Sequence, residues 1–238
     1  GKPFIGSPGA GGAHSWQPMA FDPKTGLVFI PANLAAFPYF PAKDWKAAKL
    51  GFNVGVDMGA AAMPANPQIR AAAAQATTGA LIAWDPVAQK ERWRISYKGP
   101  WNGGLLASGG GLVFQGNATG EFAAYSAADG RKLWSFPTQT GVIAAPITYS
   151  IGGEQYVAVL AGWGGIWALA PGVLSDKSGP SRNISRLLVF KLNGSATLPA
   201  APPQPTTGRS RPRAWRRSRR ARHAPAVARL RTRVWMWT

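Results

Sequence analysis

"AADGRKLWSF", residues 127–136, reads as a hairpin turn and its outgoing strand: small residues, an Asp-Gly pair, then a short run ending just past a tryptophan. Forty-one residues upstream, "GALIAWDPVAQKERW" (79–93) lies on "GEFAAYSAADGRKLW" (120–134) without a gap. Gly79 falls on Gly120, Trp84 on Tyr125 and Trp93 on Trp134. A period near 40 residues, with about four strand-like segments in each, is what a propeller blade requires. One four-stranded sheet cannot bury both faces alone and must stack on its neighbours.

Outward from that repeat, "ALIAWD", "ERWRIS", "LLASGG", "LVFQGN", "EFAAYSA", "KLWSFP", "APITYSI" and "QYVAVLAG" are short segments rich in β-branched, aromatic and small residues, separated by Gly or Asp-Gly signals. WD40 repeats have a similar period, but their Gly-His and Trp-Asp signature is missing, and "AWDP" closes a strand into a turn. "GLVFIPA" (26–32) echoes "GLVFQGN" (111–117) and predicts part of another blade. "AFPYFPAKDWKAAKLGFNVGVDMGAAAMPANPQ" (36–68) reads as a long excursion between strands, and "RAAAAQATTG" (70–79) as a helical turn that Gly79 ends. Past Leu169 the pattern decays, with "RLLVFKL" (186–192) as a last strand and "LPAAPPQP" (198–205) as an extended linker. The expected architecture is all-β: a partial β-propeller of about three blades. Closed propellers have roughly four to eight blades, so such an arc exposes blade faces unless other residues complete it.

Composition agrees with that class. The 238 residues are 46% hydrophobic and hold eleven Trp, 29 Gly and 21 Pro against 15% charged residues, which suits short strands and tight turns. The absence of cysteine excludes a disulfide framework, a zinc-thiolate site and a covalently attached c-type haem within these residues. No apolar run reaches the roughly 18 residues of a membrane span, and no signal peptide is recognisable. The first residue is Gly1 rather than Met, so the natural beginning is expected to lie upstream. Of the 27 Lys and Arg and nine acids behind the net charge of +18, residues 209–238 hold eleven Arg and no acid, which leaves +7 for residues 1–208.

"GPWNGGLLASGGGLVFQGNATGEFAAYSAADGRKLWSFPTQTGVIAAPITYSIGGEQYVAVLAGWGG" (99–165), with "GAHSWQPMAFDPKTGLVFIPA" (12–32), resembles the C-terminal blades of the pyrroloquinoline quinone (PQQ)-dependent alcohol dehydrogenases, eight-bladed quinoproteins of the methanol and ethanol dehydrogenase type. The resemblance runs from about Gly11 to Leu192. It implies oxidation of primary alcohols to aldehydes in the periplasm with PQQ and calcium. A cytochrome c-type protein would accept the electrons. It also implies that the calcium ligands, the Asp general base, a vicinal cysteine pair and a lysine near the quinone belong to earlier blades, so that this chain alone turns over no alcohol. Asp22, Asp57, Asp85 and Asp129 sit in turn or excursion contexts and are assigned no catalysis.

Two local matches bear on the cofactor. Where the family usually carries Asn-Trp, "HSWQPM" has Ser15 and Trp16; the resemblance implies cofactor contact for Trp16, while Ser15 shortens the donor. "AGWGGIW" (161–167) matches a strand-end turn at the cofactor face, which makes Trp163, Gly164, Gly165 and Ile166 cofactor-binding candidates. Glycines there let backbone approach a planar ligand. Plain packing is the competing reading for both tryptophans. Trp84, Trp93 and Trp134 are expected to be blade-docking core, Trp101 and Asn102 to serve an Asn-Gly turn, and His14 and His223, with no second ligand at metal spacing, to have loop or surface roles.

The expected domains are propeller blades over 1–193, a Pro-rich linker over 194–208 and an Arg-rich, disordered tail over 209–238. "RSRPRAWRRSRRARHAPAVARLRTRVWMWT" could bind phosphate backbones without sequence specificity. Yet the family ends near here or continues into a cytochrome domain, and an acid-free switch to Arg, Ala, Pro and Trp is what a GC-rich gene gives when read out of frame. That reading is preferred to a genuine basic arm, and no specific nucleic-acid partner is expected. The rival class is a non-catalytic propeller-type scaffold, or a nucleic-acid-binding protein acting through its tail. A scaffold would need neither "HSWQPM" nor "AGWGGIW".

Overall fold

The computed structural model describes residues 2–47, 49–50, 53–62, 65–163 and 183–201. In chain order the elements are β1 (Phe4–Gly6), β2 (Ala20–Asp22), β3 (Leu27–Leu34), β4 (Phe37–Tyr39), α1 (Pro67–Ala76), β5 (Thr78–Asp85), β6 (Lys90–Tyr97), β7 (Leu105–Ser108), β8 (Leu112–Gly116), β9 (Glu121–Ser126), β10 (Lys132–Pro137), β11 (Ile147–Ile151), β12 (Glu154–Ala161) and β13 (Arg186–Lys191). They form sheet I in the order β2-β3-β5-β6, sheet II in the order β7-β8-β9-β10 and sheet III in the order β11-β12-β13, all antiparallel, with β1 and β4 paired as a small ribbon. Among the described residues, two four-stranded blades and a three-stranded one make a partial propeller.

The repeat is structural down to its irregularity. In sheet I, Ala83 pairs with Trp93 and Trp84 with Glu91, leaving Arg92 as an extra bulged residue. In sheet II, Ala124 pairs with Trp134 and Tyr125 with Lys132, leaving Leu133 in the same role. The turns match too. Asp85 Oδ1 accepts the backbone N–H of Val87 and Ala88, and Asp129 Oδ1 accepts that of Arg131. The left-handed position falls on Gln89 (φ 51°) in one turn and on Gly130 (φ 73°) in the other.

Two seams hold the sheets together. Between sheets I and II, Phe29, Leu81 and Ala83 meet Val113, Ala123 and Tyr125. Trp93 closes this seam: its Nε1–H donates to the Ala127 carbonyl at 3.2 Å, and its ring lies so close over Gly130 that a Cβ there would come within 2.6 Å. Between sheets II and III, Phe114 and Phe122 meet Val157, Val159, Leu188 and Phe190, with the Trp134 ring 5.4 Å from that of Phe190. Trp93 and Trp134 are therefore the docking tryptophans. Trp84 is not: successive strand residues point to opposite faces, so beside Ala83 it belongs to the outer face of sheet I and to neither seam.

The excursion between β3 and β5 carries β4 and a real helix, longer than the single turn expected. Asn66 Oδ1 caps it by accepting the N–H of Gln68 and Ile69, and Pro67 stands at its start. Gly79 does not end the helix. It lies inside β5. Beyond β13, Leu198 packs against the second seam and the Gln139 side chain donates to the Pro199 carbonyl, so the first residues of the Pro-rich stretch lie against the blades.

A buried polar chain crosses the first seam. The Tyr97 hydroxyl donates to Gln115 Oε1 at 2.8 Å, and Gln115 Nε2 donates to the Gly103 carbonyl at 2.7 Å. Burial, followed by the nearby Tyr125 phenol, pushes the Tyr97 hydroxyl well above its ordinary 10.0. The fold therefore favours the neutral phenol. Its contribution is complete below pH 10.0 and is lost as pH rises from there toward the folded-state value. The urea midpoint is expected to fall more steeply above that pH in the native chain than in Tyr97→Phe.

Candidate functional site

The loops entering β2, β7 and β11 and those leaving β3, β8 and β12 gather at one end of the sheets, opposite the Asp-based turns. Their short residues let them approach closely. Pro18 accepts the Leu105 N–H, and a Cβ on Gly104 would meet Pro18 at 2.5 Å and Ala145 at 2.8 Å. Residue 142 bridges to residue 162, tying the loop before β11 to the end of β12.

Three of the six sequence-predicted cofactor residues fall in this description, all at this end. Ser15 is half-buried and Trp16 is 54% exposed in the loop entering β2. Trp163 follows β12. Its indole lies against Gly141, where a Cβ would come within 2.8 Å of the ring, and its backbone N–H donates to Asn183 Oδ1 at 2.8 Å. Gly164, Gly165 and Ile166 lie outside the described residues.

Among the described residues, two donors here are buried with no hydrogen-bond partner: Trp163 Nε1 and Gln17 Nε2, the latter on a side chain only 1% exposed. An unanswered buried donor costs about 1–3 kcal/mol. An N–H left unpaired in this way is free to donate to a water or to an acceptor atom of a ligand. The Trp163 donor and the glycine floor beneath its ring fit a flat, acceptor-bearing cofactor such as the quinone. Gln17 was not readable as a site residue, because a single Gln in a Pro-flanked loop has no periodicity to mark it.

The same end is clamped by asparagines. Asn33 Oδ1 accepts the Trp101 N–H at 2.8 Å, holding Trp101 at φ 63°, a left-handed conformation rare for a bulky residue. Asn102 is buried; it donates to the Gly99 carbonyl at 3.0 Å and accepts the Ala118 N–H at 3.3 Å. This corrects the expected Asn-Gly turn role. Asn102 joins the loop before β7 to the loop after β8 and makes no two-residue hairpin. Trp101 and Trp163 flank the buried pair Ala118 and Ile143. His14 donates through Nδ1 to the Pro31 carbonyl at 3.1 Å, a loop-fixing contact. Among the described residues no cluster of three or more His, Cys, Asp or Glu is placed to hold a metal, and no helix is long and apolar enough to cross a membrane.

Residues 65–157 match the family described as "Glucose/ethanol/alcohol dehydrogenase, beta-propeller domain", a PQQ family. Over 201 residues the chain is 47% identical to the dehydrogenase subunit of the quinone-type alcohol dehydrogenase of Acetobacter aceti, covering 84% of this chain and 27% of that protein. It is 40% identical over 195 residues to "1-butanol dehydrogenase (cytochrome c)" of Thauera butanivorans, covering 78% of this chain and 26% of that one. The solved quinohemoprotein alcohol dehydrogenase ADHIIG of Pseudomonas putida superposes with a TM-score of 0.77 at 38% identity, over 86% of this chain and 30% of its own. The chain thus spans a little over a quarter of the length of these relatives.

Proposed function

We propose that this chain, which belongs to the PQQ-dependent alcohol dehydrogenases, supplies one wall of the cofactor site of an enzyme that oxidises primary alcohols to aldehydes with PQQ and calcium. The observation that carries this is the Trp163 indole, its Nε1–H buried and unanswered and its ring resting on Gly141, within the turn that resembles the family's cofactor face. Bound PQQ would supply the two-electron acceptor for the alcohol. Trp163 would donate one hydrogen bond to an acceptor atom of that group, Trp16 would offer an exposed aromatic face, and Ser15 a hydroxyl. Gly164, Gly165 and Ile166 are assigned to the same wall on resemblance. Calcium is assigned to ligands outside this chain, the electrons to a cytochrome c-type acceptor and the location to the periplasm. The name of the Thauera butanivorans relative supports the acceptor. The blades are proposed to span 1–193, followed by the linker 194–208 and the Arg-rich tail 209–238.

Tryptophan fluorescence during titration with PQQ and calcium, at low and high salt, tests the proposal. Saturable quenching is expected to persist at high salt and to weaken in both Trp16→Ala and Trp163→Phe. The second change removes the unanswered donor while keeping an aromatic ring, so thermal stability should hold or rise while quinone affinity falls. Dye-linked alcohol turnover by the isolated chain is expected to be absent. Quenching that disappears with salt would assign the binding to the Arg-rich tail and sink the proposal.

A further inference from the structure

Asn33 sits near the end of β3, opposite Gly79 on β5. A Cβ on Gly79 would stand 2.5 Å from Asn102 Nδ2 and 2.6 Å from the Gly99 carbonyl oxygen, so the bare glycine lets the loop before β7 lie directly on the sheet, within reach of Asn33. The buried Asn33 uses that position twice. Its backbone N–H donates to the Ala13 carbonyl at 2.7 Å, and its side-chain oxygen accepts the Trp101 N–H. The second bond fastens Trp101 in the left-handed region, which a bulky residue occupies only where its surroundings hold it there, and such residues cluster at functional sites. That backbone angle decides where the indole goes. On one side the ring lies against the loop that carries Ser15 and Trp16: a Cβ on Gly11 would come within 3.1 Å of it. On the other it packs on Ala118 and Ile143, the same two buried side chains against which Trp163 rests. Trp101 thus touches what holds each of the two candidate cofactor tryptophans.

We propose that Asn33 is a positioning residue: by fixing the Trp101 backbone it sets where Trp16 and Trp163 stand, and so the spacing of the wall that receives the quinone. The role of that wall rests on the cofactor reading above; the placing of the two tryptophans does not. Without the Asn33 oxygen the Trp101 N–H loses its partner, and φ relaxes toward the negative values that a bulky residue prefers. The indole then swings off Gly11 and off the Ala118 and Ile143 pair. Contacts that must be ordered at the moment of binding hold a ligand less tightly than contacts already in place, so quinone affinity falls with the clamp.

Fluorine NMR of the chain labelled with 5-fluorotryptophan tests the proposal, each resonance being assigned by a single Trp→Phe change. Without quinone, Asn33→Ala is expected to move the Trp16, Trp101 and Trp163 signals and to leave in place those of Trp93 and Trp134, which lie in the seams. Asn33→Asp keeps an acceptor oxygen at the same reach and should bring the three signals back. Trp101→Gly makes the same prediction from the ring's side: glycine adopts the left-handed angle freely, so the fold is kept while Trp16 and Trp163 shift. Adding Asn33→Ala to it should move them no further. In a titration with PQQ and calcium at high salt, affinity should fall roughly tenfold in Asn33→Ala and recover in Asn33→Asp. Shifts confined to Trp101, shifts that reach Trp93 and Trp134 equally, or an affinity left unchanged would each overturn the proposal. Failure of the native chain to bind PQQ would count against the cofactor reading instead, and the fluorine shifts would then decide the positioning role by themselves.

Discussion

Trp93→Ala is expected to destabilise the chain by about 3–5 kcal/mol, the usual cost of emptying an aromatic site in a packed interior. The indole fills the first seam beside Phe29, with ring centroids 5.5 Å apart, donates to the Ala127 carbonyl and covers the Gly130 turn. Trp93→Phe keeps most of the ring and loses the donor, so its cost should be near 1 kcal/mol. Urea unfolding gives both values. Hydrogen exchange locates the damage: in Trp93→Ala, amides of sheet I should exchange faster while those of sheet III keep their protection, because the second seam is closed separately by Trp134 and Phe190. Equal loss in both sheets would mean that the seams are not independent.

Gly116→Ala is expected to cost about 3 kcal/mol from a single added methyl group. A Cβ there would stand 2.2 Å from one Val142 methyl and 2.4 Å from the Val142 Cβ, and Val142 is fully buried. Overpacking of this kind forces backbone to move. Val142 is held by its own N–H, which donates to the Asn117 carbonyl, and by its bridge to residue 162. The displacement should therefore reach Gly141 and the Trp163 ring resting on it, shifting Trp163 emission as well as stability. Adding Val142→Gly should restore part of the loss, so the double variant falls short of the sum of the two single costs. Strict additivity would contradict the contact.

The hairpin from Glu121 to Pro137 was readable because its two strands and turn are contiguous, and the turn chemistry at Asp129-Gly130 needs no distant partner. The same holds for the 41-residue match to β5 and β6. Sheet I's first two strands are harder to read, since β2 and β3 lie across the whole excursion from β5; only the "GLVF" echo marks β3. The length of the helix is not legible although Asn66-Pro67 is a start signal, because its Ala-rich body has no apolar stripe. Residue type alone groups Trp84 with Trp93, while strand alternation with the bulge at Arg92 sends the two to opposite faces. At the candidate site, Trp16 and Trp163 came from resemblance. The buried Gln17 and the Asn33 and Asn102 clamps did not, because a side-chain amide bonded to a distant loop leaves no pattern in its own neighbourhood.

The excursion that separates β3 from β5 also orders events in time. All four strands of sheet II lie between Leu105 and Pro137 and are joined by tight turns, so each pairing closes only a short loop. Sheet I must bring Leu34 back to Thr78 across everything between them before its central ladder can form. Loop-closure entropy and the greater sequence separation both slow that step. Folding should start in sheet II, as the template on which sheets I and III settle, with the Leu34–Thr78 closure as the late, slow phase. A nascent chain that has extruded sheet I but not yet Leu105–Pro137 would then still be waiting for the surface that sheet I needs to fold against.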